Sequence, residues 1–398
     1  MEAVTGTEGT TAGEETTGVD PGITPVIMPK WGLSMRTGKI TEWLAAEGDA
    51  VEEGDELAEI DTDKIAGTLE APSGGVLRRI VAPAGDAAPV GRAIALIAPA
   101  GVPDAAVERA AAEARAQLAS GVPAEDEEGP VTGTVQVGDT ALAYATSGTG
   151  ERHVVLVHGF GGDKNSWLFV QEALAARHTV HALDLPGHGE SAKDVGDGGL
   201  GTLAGAVTGF LDALGIARAH LVGHSLGGAV SVAAAASAPE RVASLTLVAP
   251  AGLGPDVNAS YLRGFAAAGT RRALRPHLST LFADEARVTR QLVDDLLRYK
   301  RLDGVDRALG ALLTTLLDED DAPALDVRGL LASGATSVPV VALWGREDRV
   351  IPASNAASLK GRAEIRLVDG AGHMPHMETP GEVVTAVEHA IAGSEGAP

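Results

Sequence analysis

Two short stretches of this 398-residue chain carry side chains whose surroundings suit covalent chemistry. In Leu221-Val222-Gly223-His224-Ser225-Leu226-Gly227-Gly228 a serine stands between glycines, with an apolar run before it and a helix-forming run after it. A strand–turn–helix of that kind leaves no room for a Cβ at the glycine positions, and its strained backbone lifts the serine Oγ into the open as a nucleophile. Such a serine needs a base, and the base needs an acid to orient it. Leu343-Trp344-Gly345-Arg346-Glu347-Asp348 ends one apolar run on acids, and Asp369-Gly370-Ala371-Gly372-His373 follows another with a histidine. Asp348 is the preferred acid, with Glu347 and Asp369 as alternatives. His373 is the preferred base, with His376 as the alternative. Upstream, His158-Gly159-Phe160-Gly161-Gly162 suits a loop that gives one oxyanion amide, which assigns that role to the backbone N–H groups of Phe160 and Leu226. His158 and His224 read as packing or orienting groups.

The second stretch is Asp61-Thr62-Asp63-Lys64-Ile65, between the β-like runs Leu57 to Ile60 and Ile65 to Leu69. A lone turn lysine is ordinarily a solvated one. Here Gly75 follows eleven residues after the lysine, and Gly48-Asp49 with Gly54 is echoed by Gly85-Asp86 with Gly91. On these features residues 23–98 resemble the lipoyl domain of 2-oxo-acid-type dehydrogenase complexes. The related biotinyl domains set their lysine between two methionines, which are absent here. The resemblance implies lipoate in amide linkage on Lys64, placed there by a lipoate ligase or transferase.

The elements that must position these residues divide the chain. Residues 1–22 lack periodicity and read as a tail. Residues 23–98 are short β-like runs punctuated by Gly, Pro and Asp, and the two similar halves suggest a small flattened β-barrel with quasi-twofold symmetry. Residues 99–130 are Ala, Pro and acid, an expected extended linker with one weak helical piece around 105–118. From 131 to 395 compact apolar runs alternate with helical ones, as in a doubly wound, mostly parallel α/β sheet. A helical segment at about 253–325 breaks the alternation and reads as a cap. The order Ser225, Asp348, His373 is that of the α/β-hydrolases, which this part of the chain resembles.

Composition narrows the chemistry further. The chain has no cysteine, which excludes a disulfide scaffold, a thiolate metal site and a cysteine nucleophile. Any thiol in the reaction must arrive on a cofactor or substrate. A net charge of −23 argues against nucleic-acid binding. Residues 1–130 hold 24 acids and 9 bases, and residues 131–398 hold 30 and 22. Met1 to Asp20 has neither a basic nor an apolar region, and no stretch approaches the ~20 apolar residues of a membrane span. The expectation is a cytoplasmic protein without membrane attachment.

Joined in one chain, a lipoyl arm that carries acyl groups as thioesters and a Ser-His-Asp set that attacks them point to acyl transfer. The arrangement resembles the dihydrolipoyl acetyltransferase components of acetoin dehydrogenase complexes. That resemblance implies coenzyme A as acceptor, a thiamine-diphosphate-dependent dehydrogenase that loads the arm and a dihydrolipoyl dehydrogenase that reoxidises it. The H-x-x-x-D-G signature of the larger oxo-acid acyltransferases is absent. The alternative function is a lipoyl-tethered esterase or thioesterase releasing free acid. Within the cap, Tyr261 to Arg301 holds 9 basic and 4 acidic residues. The arginines either pair with Asp284, Glu285, Asp294 and Asp295 along solvated helices, or some of them, Arg271, Arg272 and Arg275 foremost, receive coenzyme A phosphates or the acidic lipoyl domain.

Overall fold

The computed structural model describes residues 22–29, 37–61, 66–119, 130–332 and 338–395. The chain forms two compact units, Met1–Glu127 and Glu128–Pro398.

In the first unit eight short strands make two four-stranded sheets: β1 (Thr24–Ile27), β2 (Thr37–Trp43), β3 (Ala50–Val51), β4 (Glu56–Asp61), β5 (Ala66–Glu70), β6 (Gly75–Ile80), β7 (Ala87–Pro89) and β8 (Ala93–Ala98). One sheet runs β1-β8-β6-β3 and the other β5-β4-β2-β7. Advancing each label of the first order by four gives the second, so the halves of the sequence are related by a quasi-twofold. The repeated Gly-Asp turns join them. Gly48 N–H donates to Leu77 O at 2.8 Å and Gly85 N–H to Ile40 O at 2.7 Å, while Leu77 N–H and Ile40 N–H donate back to Asp49 O and Asp86 O, both at 2.9 Å. Gly48 (φ +100°) and Gly85 (φ +95°) occupy the left-handed region that a Cβ disfavours. Val26, Met28, Ile40, Leu57, Ile60, Leu77, Ile94 and Ile97 fill the core between the sheets. β4 and β5 pair as far as Asp61↔Ala66. Lys64 falls in the connection 62–65, outside the described residues.

The helical piece expected around 105–118 forms helix α1 (Asp104–Ala119), and it docks on the barrel rather than lying in an extended linker. Its Ala106, Val107, Ala111 and Ala114 pack on Ile23, Val81, Leu96 and Ala98 of the barrel. Arg78 pairs with Asp104, and Arg79 Nε donates to Glu108 Oε1 at 2.6 Å. In an Ala-rich helix the buried and exposed faces differ little in hydrophobicity, which hides the docking face in the sequence.

The second unit is an eight-stranded sheet of β9 (Val131–Val137), β10 (Thr140–Ser147), β11 (His153–Val157), β12 (Thr179–Leu183), β13 (Ala219–His224), β14 (Val242–Val248), β15 (Val340–Gly345) and β16 (Glu364–Val368), in the order β16-β15-β14-β13-β11-β12-β10-β9. The strands from β12 to β16 are parallel, and the β9–β10 hairpin completes the edge antiparallel. Helices α2 (Leu168–Ala175) and α11 (Pro380–Glu395) pack in one apolar layer, α3 (Leu200–Ala213) and α4 (Leu226–Ser237) in the other. Between β14 and β15 the cap supplies α5 (Ala259–Ala267), α6 (Arg271–Ser279), α7 (Arg290–Lys300), α8 (Val305–Leu316) and α9 (Arg328–Ala332). Asn258, Thr270 and Thr289 cap α5, α6 and α7 by accepting main-chain N–H groups. Among the described residues no helix is long and apolar enough to cross a membrane.

Candidate active site

Because β11, β13, β15 and β16 are parallel, the loops after them emerge at one edge of the sheet, where doubly wound folds place their sites. Those loops carry Phe160, Ser225, Asp348 and His373.

Ser225 sits between the last residue of β13 and the first of α4 with φ 52° and ψ −118°. A side-chain-bearing residue stays at such a φ only when its surroundings enforce it. Here Ser225 N–H donates to Val248 O at 2.9 Å, and Ser225 O accepts from Ala251 N–H at 2.9 Å and Gly228 N–H at 3.0 Å. The flanking glycines are obligatory: a Cβ on Gly223 would lie 2.3 Å from Gly227 O, and one on Gly227 would lie 2.2 Å from Val157 O.

The loop 158–162 lies against this turn, since a Cβ on Gly159 would come within 2.9 Å of the Ser225 Cβ. Two buried histidines shape it. His158 Nδ1–H donates to Gly159 O at 2.8 Å and its Nε2 accepts Leu185 N–H at 3.0 Å. His188 Nδ1–H donates to Pro186 O at 3.1 Å, and its Nε2 accepts Gly161 N–H at 3.1 Å. Burial, with His158 beside it, pushes His188 down to about 3, so it stays neutral and keeps the tautomer this network needs. Gly162 N–H is taken by Gly159 O. Among the described residues the Phe160 and Leu226 amides donate to no group, so both are free for a ligand oxygen.

His373 Nδ1 meets Asp348 Oδ2 at 2.8 Å, with the two side chains 3% and 0% exposed. Asp348 Oδ1 accepts Val350 N–H at 2.8 Å and Ile351 N–H at 2.9 Å, which fixes the carboxylate. The other acids stand apart: Glu347 is exposed, and Asp369, 86% exposed, pairs with Arg346. His376 is buried between Trp167 and His224, each ring 4.5 Å away, with neither nitrogen hydrogen-bonded. Burial holds it neutral, down to about 3. His224 joins the base loop to the serine turn: its Nε2–H donates to His373 O at 2.8 Å, and the two rings lie 4.7 Å apart. No hydrogen bond among the described residues joins Ser225 Oγ to His373, a link that free enzymes often close only around substrate.

The stretch from Asp184 to Ser191, which resembles the structural loop that follows an early strand in α/β-hydrolases, supplies part of the support. Buried Asp184 accepts Lys164 N–H at 2.6 Å, Lys164 Nζ at 2.9 Å and Glu190 N–H at 2.8 Å, anchoring the start of the segment after the loop 158–162. Burial would raise the Asp184 carboxyl, but Lys164 beside it holds it below the usual range. Asp184 and His188 belong to one Asp-x-x-Gly-His-Gly loop, and its paired glycines are the signal in the sequence.

The cap arginines divide. Arg271 forks onto Asp294, with Nη2 to Oδ2 at 2.6 Å, and Arg298 reaches Asp295 at 2.8 Å. Lys300 lies 5.0 Å over the Phe265 ring and donates to Ala266 O. Arg272 and Arg275, on exposed positions of α6, have no ion-pair partner among the described residues.

The chain is thus a lipoyl-type barrel joined to an α/β-hydrolase domain. Family models agree: one described as biotin-requiring enzyme matches residues 24–97, and one described as alpha/beta hydrolase fold matches residues 152–380. Over 358 residues the chain is 46% identical to the dihydrolipoyllysine-residue acetyltransferase component of the acetoin cleaving system of Pseudomonas putida, covering 89% of this chain and 95% of that one. The component of the same name from Cupriavidus necator is 42% identical over 379 residues, 95% of this chain and all of that one. The chain belongs to this family of acetoin-cleaving-system acetyltransferase components. Among solved structures, a bacterial membrane phospholipase A superposes with a TM-score of 0.59 at 27% identity, covering 67% of this chain and 87% of that one.

Proposed function

We propose that this chain moves an acetyl group from a dihydrolipoyl thioester to coenzyme A through an acyl-enzyme on Ser225. The observation that carries the proposal is the buried 2.8 Å contact of His373 Nδ1 with Asp348, on the loop that His224 ties to the serine turn.

β4 and β5 stay paired to Asp61↔Ala66, so only four residues bridge them, Lys64 included. That short connection fits a lysine offered to a ligase. Lipoate there would supply the thiol that carries acetyl as a thioester, which a chain without cysteine cannot do itself.

The remaining steps belong to protein side chains. Asp348 holds the imidazole by Nδ1 and leaves Nε2 to act. His373 takes the proton of Ser225 Oγ as the oxygen bonds to the thioester carbonyl carbon. The Phe160 and Leu226 amides hold the oxyanion. His373 then returns the proton to the departing sulfur, leaving acetyl-Ser225. In the second half His373 takes the proton of the coenzyme A thiol, whose sulfur displaces Ser225 Oγ, and the same proton restores the hydroxyl. Arg272 and Arg275, without an ion-pair partner among the described residues, offer guanidinium groups for the phosphates of coenzyme A, and Arg271 joins them only by leaving Asp294. In the assembled system a thiamine-diphosphate-dependent component loads the arm and a dihydrolipoyl dehydrogenase reoxidises it.

Supplying S-acetyl-dihydrolipoamide with and without coenzyme A, and following acetyl-CoA and acetate, tests this reading. Wild type is expected to form acetyl-CoA in excess over acetate, and Ser225→Ala neither. Acetate as the sole product would make the chain a thioesterase instead.

A further inference from the structure

The loop that carries His373 is bound to the cap, and one carboxylate makes the bond. Glu378 closes helix α10 (Pro375–Glu378) and is 8% exposed. Its Oε2 accepts Gly372 N–H at 2.8 Å, immediately before His373. Its Oε1 accepts Ala283 N–H at 2.7 Å, in the cap connection between α6 and α7. His373 N–H adds a third strand to the junction by donating to Leu281 O at 2.7 Å. The fit is close enough that a Cβ on Gly372 would lie 2.7 Å from both Leu281 O and Ala283 N. From the other side Arg349, next in chain to Asp348, donates Nη2 to Phe282 O at 2.7 Å and to Ser279 O. Cap residues 279–283 are therefore gripped by the neighbours of both the acid and the base.

Among the described residues Glu378 pairs with no cation. A buried carboxylate costs several kcal/mol (roughly) unless hydrogen bonds satisfy it. Here both oxygens are spent on main-chain amides of two separate segments, so what the group secures is their relative position.

We propose that Glu378 is a positioning residue, a latch through which the seating of the cap sets the His373 imidazole. The proposal rests on the reading of His373 as the base. When the cap segment is seated, Gly372 and Leu281 hold the His373 backbone from either side. When the latch is lost, the imidazole keeps Asp348 but loses the fixed backbone from which it reaches Ser225. The seat matters to catalysis because a misplacement on the order of 1 Å in a reacting group can cost about a hundredfold in rate.

The test uses the full chain, S-acetyl-dihydrolipoamide and coenzyme A, with Glu378→Gln, Glu378→Ala, Gly372→Ala and His373→Ala compared. Glutamine keeps one acceptor oxygen but turns an NH2 toward the other amide. Gly372→Ala drives a methyl into the junction while leaving Glu378 in place. Each latch variant is expected to lose about tenfold to a hundredfold in kcat with KM within about threefold of wild type. Hydrogen exchange is expected to quicken together in peptides covering 279–285 and 370–374, with the melting temperature of Glu378→Gln little changed. Wild-type kcat in a folded Glu378→Gln, or quickened exchange in one segment without the other, would overturn the latch. If His373→Ala abolishes turnover while the Glu378 variants keep theirs, the latch alone fails. If His373→Ala retains turnover, the base reading fails and the latch with it.

Discussion

At Ser225 main-chain hydrogen bonds hold a left-handed backbone that few side chains adopt, and around it the hydrolase unit buries imidazoles it keeps uncharged. Burial pushes His181 and His220 down to about 4 and His188 and His376 down to about 3, and it carries His224 well below the usual range. An unfolded chain protonates its imidazoles near pH 6.5 (approximately), so below that value the unfolded state takes up protons that these folded histidines refuse. Above it they contribute no pH dependence. The hydrolase unit is accordingly expected to lose stability as pH falls from about 6.5 toward 4, by up to about 1.4 kcal/mol per pH unit for each such histidine, read as a falling urea midpoint. A midpoint constant across that range would show that the buried rings accept protons. Ser225, Asp348 and His373 are legible as neighbours at one sheet edge because each follows the end of a strand. Glu378 is not legible, because it acts on main-chain amides of two segments, one of them distant in sequence, and nothing in a residue's type reveals which amide it meets.

At the scale of elements, legibility follows hydrophobic contrast. β13 and β14 are buried along their whole length, and apolar residues such as Leu221, Val222, Leu245, Leu247 and Val248 make compact runs in both. The edge strand β9 alternates between exposed and partly buried positions after Val131 and sets Thr132, Gly133, Thr134 and Gln136 among its valines, so it gives no such run. The helix at α1 is legible in its composition, but its docking on the barrel is not, since small alanines pack well while contributing little contrast. Its docking has a consequence for the barrel. Val107 is 1% exposed against the sheet, so Val107→Asp is expected to destabilise the first unit by roughly 2–4 kcal/mol. Calorimetry of the full chain checks this: one transition falls and the hydrolase transition stays. If both transitions stayed in place, α1 would add nothing to the barrel.

At the scale of the whole molecule, the acidic excess lies mainly in residues 1–130, and the cap arginines are partly spent on Asp294 and Asp295. The absence of cysteine assigns every thiol of the proposed reaction to lipoate or coenzyme A, and the proposed nucleophile, Ser225, is an oxygen one. Transfer through that oxygen is most directly tested on the full chain given S-acetyl-dihydrolipoamide without coenzyme A, quenched in acid and mapped by peptide mass spectrometry. Transfer through Ser225 requires an acetyl group on the peptide that contains it, absent in Ser225→Ala and discharged as acetyl-CoA when coenzyme A is added. Acetyl-CoA formed at the wild-type rate by Ser225→Ala would contradict it.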